Sequence, residues 1–263
     1  MILKRFLSHH FYLGLGCLIF LIATSENVAG QQIVRGKVIQ QQNEGGTFQV
    51  YLPKKVVSDV EVLVICHGTI EKENAVKTSR KFIDRWLKLS ELTGVVLVAP
   101  AFDKRNYASG KNVPGGAAWG YRSLDGRTTK PDEFVHSILK QLKKLAPSYD
   151  EKFYLYGHSA GAQFANHYLM VHPDRLKGVI LSAPAIYAMP DFDTVWPNGL
   201  KQRERVLDWG DGPHPFKISH EKKKIVKAVQ VPIAVVIGAK DTKHMSDKPQ
   251  RAGQRVLLEH GTT

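Results

Sequence analysis

The pentapeptide Gly157-His158-Ser159-Ala160-Gly161 constrains this chain more than any other stretch, because of what stands on either side of it. Phe153-Tyr154-Leu155-Tyr156 reads as a strand directly before it, and Ala162-Gln163-Phe164-Ala165-Asn166-His167 opens a helix directly after it. A G-x-S-x-G pattern between a strand and a helix implies a turn so tight that the serine sits in strained backbone, its hydroxyl lifted clear of the sheet. Gly157 and Gly161 lack the Cβ atoms that would collide across such a bend. The hydroxyl also stands at a helix N-terminus, where free N–H groups favour developing negative charge. Ser159 is therefore the candidate nucleophile; the plain alternative is a serine in an ordinary strand-to-helix turn. His158 needs no catalytic role in such a motif.

Around this turn the sequence alternates. Thr47 to Leu52 and the β-branched run Val60 to Cys66 read as strands, and a helical pattern follows from about 78 to 92. Val95 to Ala99 is a short apolar strand, and Pro131-Asp132-Glu133 starts a helix through about Leu145, since proline and acids suit a first turn. Gly178 to Ala183 and Val231 to Ile237 complete the strands. Such alternation predicts an α/β domain, a mostly parallel sheet with helices on both faces. Residues 101–130 are glycine-rich and without period, a long loop of the functional or mobile kind. The alternation breaks at about 185–230, which reads as an insertion over the C-terminal edge of the sheet. No linker divides the chain further.

The first thirty residues have another character. Lys4 and Arg5 precede an apolar run from Phe11 to Ala23, and Val28-Ala29-Gly30 supplies small residues at a cleavage point before Gln31. This is the pattern of a secretory signal peptide over 1–30, which implies a secreted or periplasmic domain, 31–263. The apolar run of about 13 residues is short of the ~20 needed to span a bilayer, so a retained anchor is the second reading. Gly14-Leu15-Gly16 makes a poor lipidation signal before Cys17.

The 263 residues carry a formal net charge of +13. A surplus of that size favours weak association with anionic surfaces. The plainer account is that Lys54-Lys55, Lys143-Lys144 and Lys222-Lys223-Lys224 are solvated. No aromatic-basic interleaving accompanies them, so nucleic acid is not an expected partner. After signal cleavage Cys66 stands alone, which precludes an internal disulfide and fits a small buried hydrophobe. There is no HExxH, CxxC or paired-histidine spacing for a metal, no phosphate-binding glycine loop and no dinucleotide fingerprint, so no cofactor is expected.

On these motifs the chain resembles the α/β-hydrolase superfamily, and within it secreted esterases of the polyhydroxybutyrate-depolymerase and feruloyl-esterase kind. The resemblance runs from about Val60 to Gly261 as an order of elements and is specific only at the motifs. It implies an oxyanion hole built from a backbone amide beside His67-Gly68-Thr69, that of Thr69 or Ile70, and the amide of Ala160. It implies an acid after the next-to-last strand, where Asp241 stands, with Asp191 and Asp193 as fallbacks. A histidine base should follow the acid along the chain. His260, at the end of a helix expected over 248–259, is the position chosen; His244 is the alternative. The family's last strand and its histidine-bearing loop are not found before Thr263, so the C-terminus reads as truncated.

The expected reaction is hydrolysis of a small or polymeric carboxylic ester through an acyl-enzyme on Ser159. Trp119, Tyr121 and Trp196 are candidates to line the substrate pocket, though such residues equally serve packing. A serine peptidase of the same fold is the second reading. The third is a binding protein that kept the nucleophile turn and lost its histidine.

Overall fold

β3 (Val62–Cys66) and β4 (Val96–Pro100) are short runs of apolar residues buried along their whole length. Successive side chains of a strand point to opposite faces, and both faces here are covered. Val62, Val64 and Cys66 join Val96 and Val98 in one core, while Leu63 and Ile65 join Leu97 and Ala99 in another. A strand buried on both faces needs apolar residues at every position, and these have them.

In the computed structural model the described residues are 34–55, 58–70, 74–108, 120–201, 205–208, 210–216, 218 and 220–240. All lie in one unit, Gln31–Thr263. β1 (Val38–Asn43) and β2 (Gly46–Tyr51) form an antiparallel hairpin, and β2 pairs antiparallel with β4. From there β3, β5 (Phe153–His158), β6 (Leu176–Ser182) and β9 (Ile233–Val236) run parallel. The seven-stranded order is β1-β2-β4-β3-β5-β6-β9. β9 is the last strand of this sheet among the described residues; the helix expected over 248–259 lies outside them.

The helices divide between the two faces. α1 (Ala75–Asp84) brings Phe82 and Ile83 to the smaller core. α4 (Pro131–Leu145) and α5 (Ala160–Val171) bring Phe134, Ile138, Phe164 and Tyr168 to the larger one. Pro131 opens α4 with Asp132 and Glu133 in its first turn and Lys143 and Lys144 in its last, an arrangement that complements the helix dipole at both ends.

The structure departs from the sequence pattern at four places. The single helix expected over about 78–92 is two, α1 and α2 (Leu87–Thr93). The amides of Arg85 and Trp86 donate to the carbonyls three residues back, Phe82 and Ile83, which tightens the chain and ends α1. The break lets Trp86 pack on Tyr156 of β5, with ring centroids 4.7 Å apart. β1 went unread because Val-Ile-Gln-Gln-Gln-Asn is an edge strand, mostly polar and paired on one side. The insertion holds a small hairpin, β7 (Arg205–Asp208) and β8 (Pro213–Phe216), followed by α6 (Lys222–Ala228). Within the long loop, Lys104–Tyr107 form a short helix, α3, and Tyr121–Ser123 a 3₁₀ turn.

Candidate active site

Ser159 stands between β5 and α5 at φ 52° and ψ −113°, a conformation that costs a residue with a Cβ about 1–3 kcal/mol. The surroundings hold it there. Its amide donates to the carbonyl of Ser182 at 2.8 Å, and its carbonyl accepts from Ala162 and Gln163. The two glycines of the motif are dictated by space. A Cβ on Gly157 would lie 2.0 Å from the carbonyl oxygen of Gly161, and one on Gly161 would lie 2.3 Å from that of Cys66.

The loop after β3 comes up against this turn. A Cβ built on Gly68 would sit 3.5 Å from Ser159 Cβ, so the Gly68-Thr69 backbone and the N-terminus of α5 flank the serine from two sides. His67 anchors the loop from below. It is fully buried, its Nε2 accepts the amide of Phe102 at 3.1 Å, and its Nδ1–H donates to the Gly68 carbonyl at 2.7 Å. Both bonds require the neutral ring with the proton on Nδ1. Burial pushes its pKa down to about 4, against the pull of the Gly68 carbonyl. His67 is thus a structural pin.

Two neighbours in sequence clamp the same loop. The Tyr121 hydroxyl is shared between the carbonyls of His67, at 2.9 Å, and Gly68, at 3.0 Å. The Arg122 guanidinium donates to the Thr69 hydroxyl. Tyr121 is buried and stacked on Phe102, with centroids 4.7 Å apart. It therefore holds the loop beside Ser159 from a buried position, the packing role that the sequence also allowed. Trp196 is likewise a core residue, its ring 4.5 Å from that of His167 and its Nε1–H on the Ser123 carbonyl at 3.3 Å. Trp119 lies outside the described residues.

α5 also fastens the insertion. Asn166 Oδ1 accepts the amide of Ala188 at 2.6 Å, and His167 Nε2 is bonded to the Pro197 carbonyl at 2.8 Å. Both residues are buried. The sequence offered one signal for them, polar residues on a helix apolar around its other faces.

The structure brings Gly68 against Ser159, with Thr69 following Gly68 and Ala160 following Ser159 along the chain. Asp241, His244 and His260 lie outside the described residues. Among the described residues no histidine is hydrogen-bonded to the Ser159 hydroxyl. His158 turns the other way, its Nδ1 3.1 Å from Ser182 Oγ, with burial and the Arg85 charge lowering its pKa. Asp191 accepts from the Asp193 amide and the Thr194 hydroxyl, so that fallback acid closes a local turn. Asp193 is exposed. Among the described residues no group of three or more histidine, cysteine, aspartate or glutamate side chains converges on a metal position.

A mostly parallel sheet, helices on both faces and a strained serine between β5 and α5 are the features of the α/β-hydrolase fold, and this chain has that fold. Residues 119–210 match a family model described as serine aminopeptidase, S33. Poly(aspartic acid) hydrolase-1 from Sphingomonas sp. KT-1 superposes with a TM-score of 0.59 at 18% identity, covering 86% of this chain and 88% of that one. LpqC, a poly(3-hydroxybutyrate) depolymerase from Bordetella parapertussis, gives 0.57 at 19% identity, over 86% of this chain and 78% of its own. No curated protein matches the sequence. Among the described residues no helix is long and apolar enough to cross a membrane.

Proposed function

We propose that the protein is a serine hydrolase that cleaves a carboxylic ester through an acyl-enzyme on Ser159. The observation that carries this reading is the conformation of Ser159, held at positive φ at the head of α5 with Gly68 packed against it. Strain of this kind persists only where the surroundings over-determine it, and it gathers at functional sites. The fold shared with a poly(3-hydroxybutyrate) depolymerase supports the choice of an ester.

In this reading Ser159 Oγ attacks the ester carbonyl and a histidine takes its proton. The oxygen that becomes negative is held by the amides of Ala160 and of Thr69 or Ile70. The histidine then returns the proton to the leaving alcohol, and water attacks the acyl-enzyme by the same route. Each oxyanion donor is worth about 3 kcal/mol. Asp241 and His260 are the proposed acid and base, the aspartate holding the imidazole tautomer and stabilising its cation. Export after cleavage of residues 1–30 belongs to the same proposal, and N-terminal sequencing of the secreted protein should begin at Gln31.

An amide-cleaving reading has its own support in the serine aminopeptidase match and in the likeness to a poly(aspartic acid) hydrolase. Fluorophosphonate labelling read by intact mass, beside a Ser159→Ala control, tests the nucleophile. A panel of p-nitrophenyl esters and aminoacyl p-nitroanilides separates the two substrate classes. Labelling lost in the control with turnover of esters alone supports the ester reading. Absence of labelling in a folded sample would leave a binding protein on a hydrolase scaffold.

A further inference from the structure

The residue after Gly68 carries a hydroxyl whose bonding is one-sided. Thr69 is exposed, and the Arg122 guanidinium donates to its Oγ1. A guanidinium has donors and no acceptor, so the threonine oxygen accepts that bond. The hydroxyl proton is left to point elsewhere, and among the described residues nothing accepts it. An exposed threonine hydroxyl ordinarily turns freely among waters. This one is held by a permanent cation that reaches it across 53 residues of sequence. The cation also draws charge from the oxygen, which makes the remaining O–H a stronger donor.

Its place in the fold gives that donor a use. A Cβ on Gly68 would lie 3.5 Å from Ser159 Cβ. Consecutive Cα atoms are ~3.8 Å apart, so the Thr69 Cα stands within ~9 Å of the serine Cβ. The buried Tyr121 hydroxyl takes up the carbonyls of His67 and Gly68. In a trans peptide the N–H points opposite to the C=O, so the amides of Gly68 and Thr69 are turned to the side away from Tyr121. The adjacent residues Tyr121 and Arg122 thus act on one loop in the same sense. The phenol occupies its carbonyl acceptors, the guanidinium occupies an acceptor site on its hydroxyl, and the donors are left over.

We propose that the Thr69 hydroxyl is a further oxyanion donor, with Arg122 as the residue that positions it; this rests on the serine-hydrolase reading given above. As Ser159 Oγ bonds the substrate carbonyl carbon, the carbonyl π pair moves onto the oxygen. The Thr69 O–H donates to that oxygen and keeps its proton. The bond strengthens as the charge develops, so it lowers the barrier to the tetrahedral intermediate more than it tightens substrate binding. Arg122 acts through Thr69 and not on the reacting atoms.

The test is steady-state kinetics on p-nitrophenyl butyrate beside fluorophosphonate labelling of the wild type. Thr69→Val keeps the branched shape and removes the O–H. Its kcat should fall about 10²-fold with KM nearly unchanged, and Thr69→Ala should match it. Thr69→Ser keeps the hydroxyl and should fall no more than several-fold. Arg122→Met should lower kcat about tenfold in the parent and have no further effect on Thr69→Val, since the hydroxyl it acts through is then gone. Equal losses in Thr69→Val and Thr69→Ser, or a change confined to KM, overturn the inference. An Arg122→Met effect undiminished on the Thr69→Val background overturns the role given to Arg122. A labelled wild type whose Thr69→Val variant turns over as fast removes the inference and leaves the hydrolase reading standing. A folded wild type that takes up no label removes both.

Discussion

The hydroxyl of Tyr121 bonds the carbonyl oxygens of both His67 and Gly68, at 2.9 and 3.0 Å, and so ties the long glycine-rich loop to the turn that faces Ser159. The phenol spans 53 and 54 residues of sequence to do so. Tyr121→Phe keeps the stacking on Phe102 and removes only this tie. It should cost about 1–3 kcal/mol of stability, since the buried His67 carbonyl loses this donor and the Gly68 carbonyl keeps only the His67 Nδ1–H. It should also lower kcat/KM about tenfold by loosening the loop amides, an indirect effect smaller than deleting an oxyanion donor outright. Urea unfolding and esterase assays on the same preparation check both numbers. Wild-type kcat/KM in a destabilised variant would confine Tyr121 to packing.

The glycines near Ser159 should separate by space. Gly157→Ala places a Cβ 2.0 Å from a backbone oxygen and Gly161→Ala one 2.3 Å from another. Backbone on both sides has nowhere to move, so losses above about 4 kcal/mol and failure to accumulate as soluble protein are expected. Gly68→Ala meets nothing closer than 3.5 Å. It should fold with a melting temperature near that of the parent while reacting more slowly with fluorophosphonate, because its new methyl narrows the approach to Ser159.

The strain at Ser159 has a measurable signature. Ser159→Ala keeps a Cβ at φ 52° and retains the strain, whereas Ser159→Gly releases it. Both variants should fail to label. The glycine variant should nevertheless be the more stable by about 1 kcal/mol, the strain relieved less the extra chain entropy of glycine. Equal stability of the two would mean the turn is not strained.

Acid should unfold this protein early. His67 and His136 both have their pKa lowered to about 4, by burial in each case, with the neighbouring His172 and Arg175 charges adding to the effect at His136. An unfolded histidine titrates near 6.5, so between about pH 6.5 and 4 the unfolded chain binds protons that the folded one refuses. Stability therefore falls as pH falls through that window. The fully buried His67 contributes up to about 1.4 kcal/mol per pH unit. Asp132 adds a loss at lower pH. Its burial raises its pKa, but the His172 hydrogen bond at 2.8 Å and the nearby histidine charges outweigh that and leave it below the ordinary value. Its contribution is present above the unfolded carboxylate range and lost as pH drops through its folded pKa. Urea midpoints measured from pH 7.5 to 4 should decline monotonically, and a flat profile would refute the buried neutral histidines.

What the sequence determined by itself is local. The strand, the turn with its two glycines and the following helix around Ser159 are contiguous, so short-range sterics and hydrogen bonding within a dozen residues dictate their geometry, and the pattern is legible. The buried parallel strands were legible for a related reason: a strand covered on both faces must be apolar throughout, as Val62 to Cys66 is. β1, an edge strand under weaker demands, carries no such mark. Tertiary structure alone decided that Tyr121 and Arg122 clamp the loop at Gly68-Thr69 and that Phe102 reads the tautomer of His67. It alone turned Trp196 inward. Those relationships join residues dozens of positions apart, and hydrophobic periodicity records which side of an element is buried without recording what it is buried against.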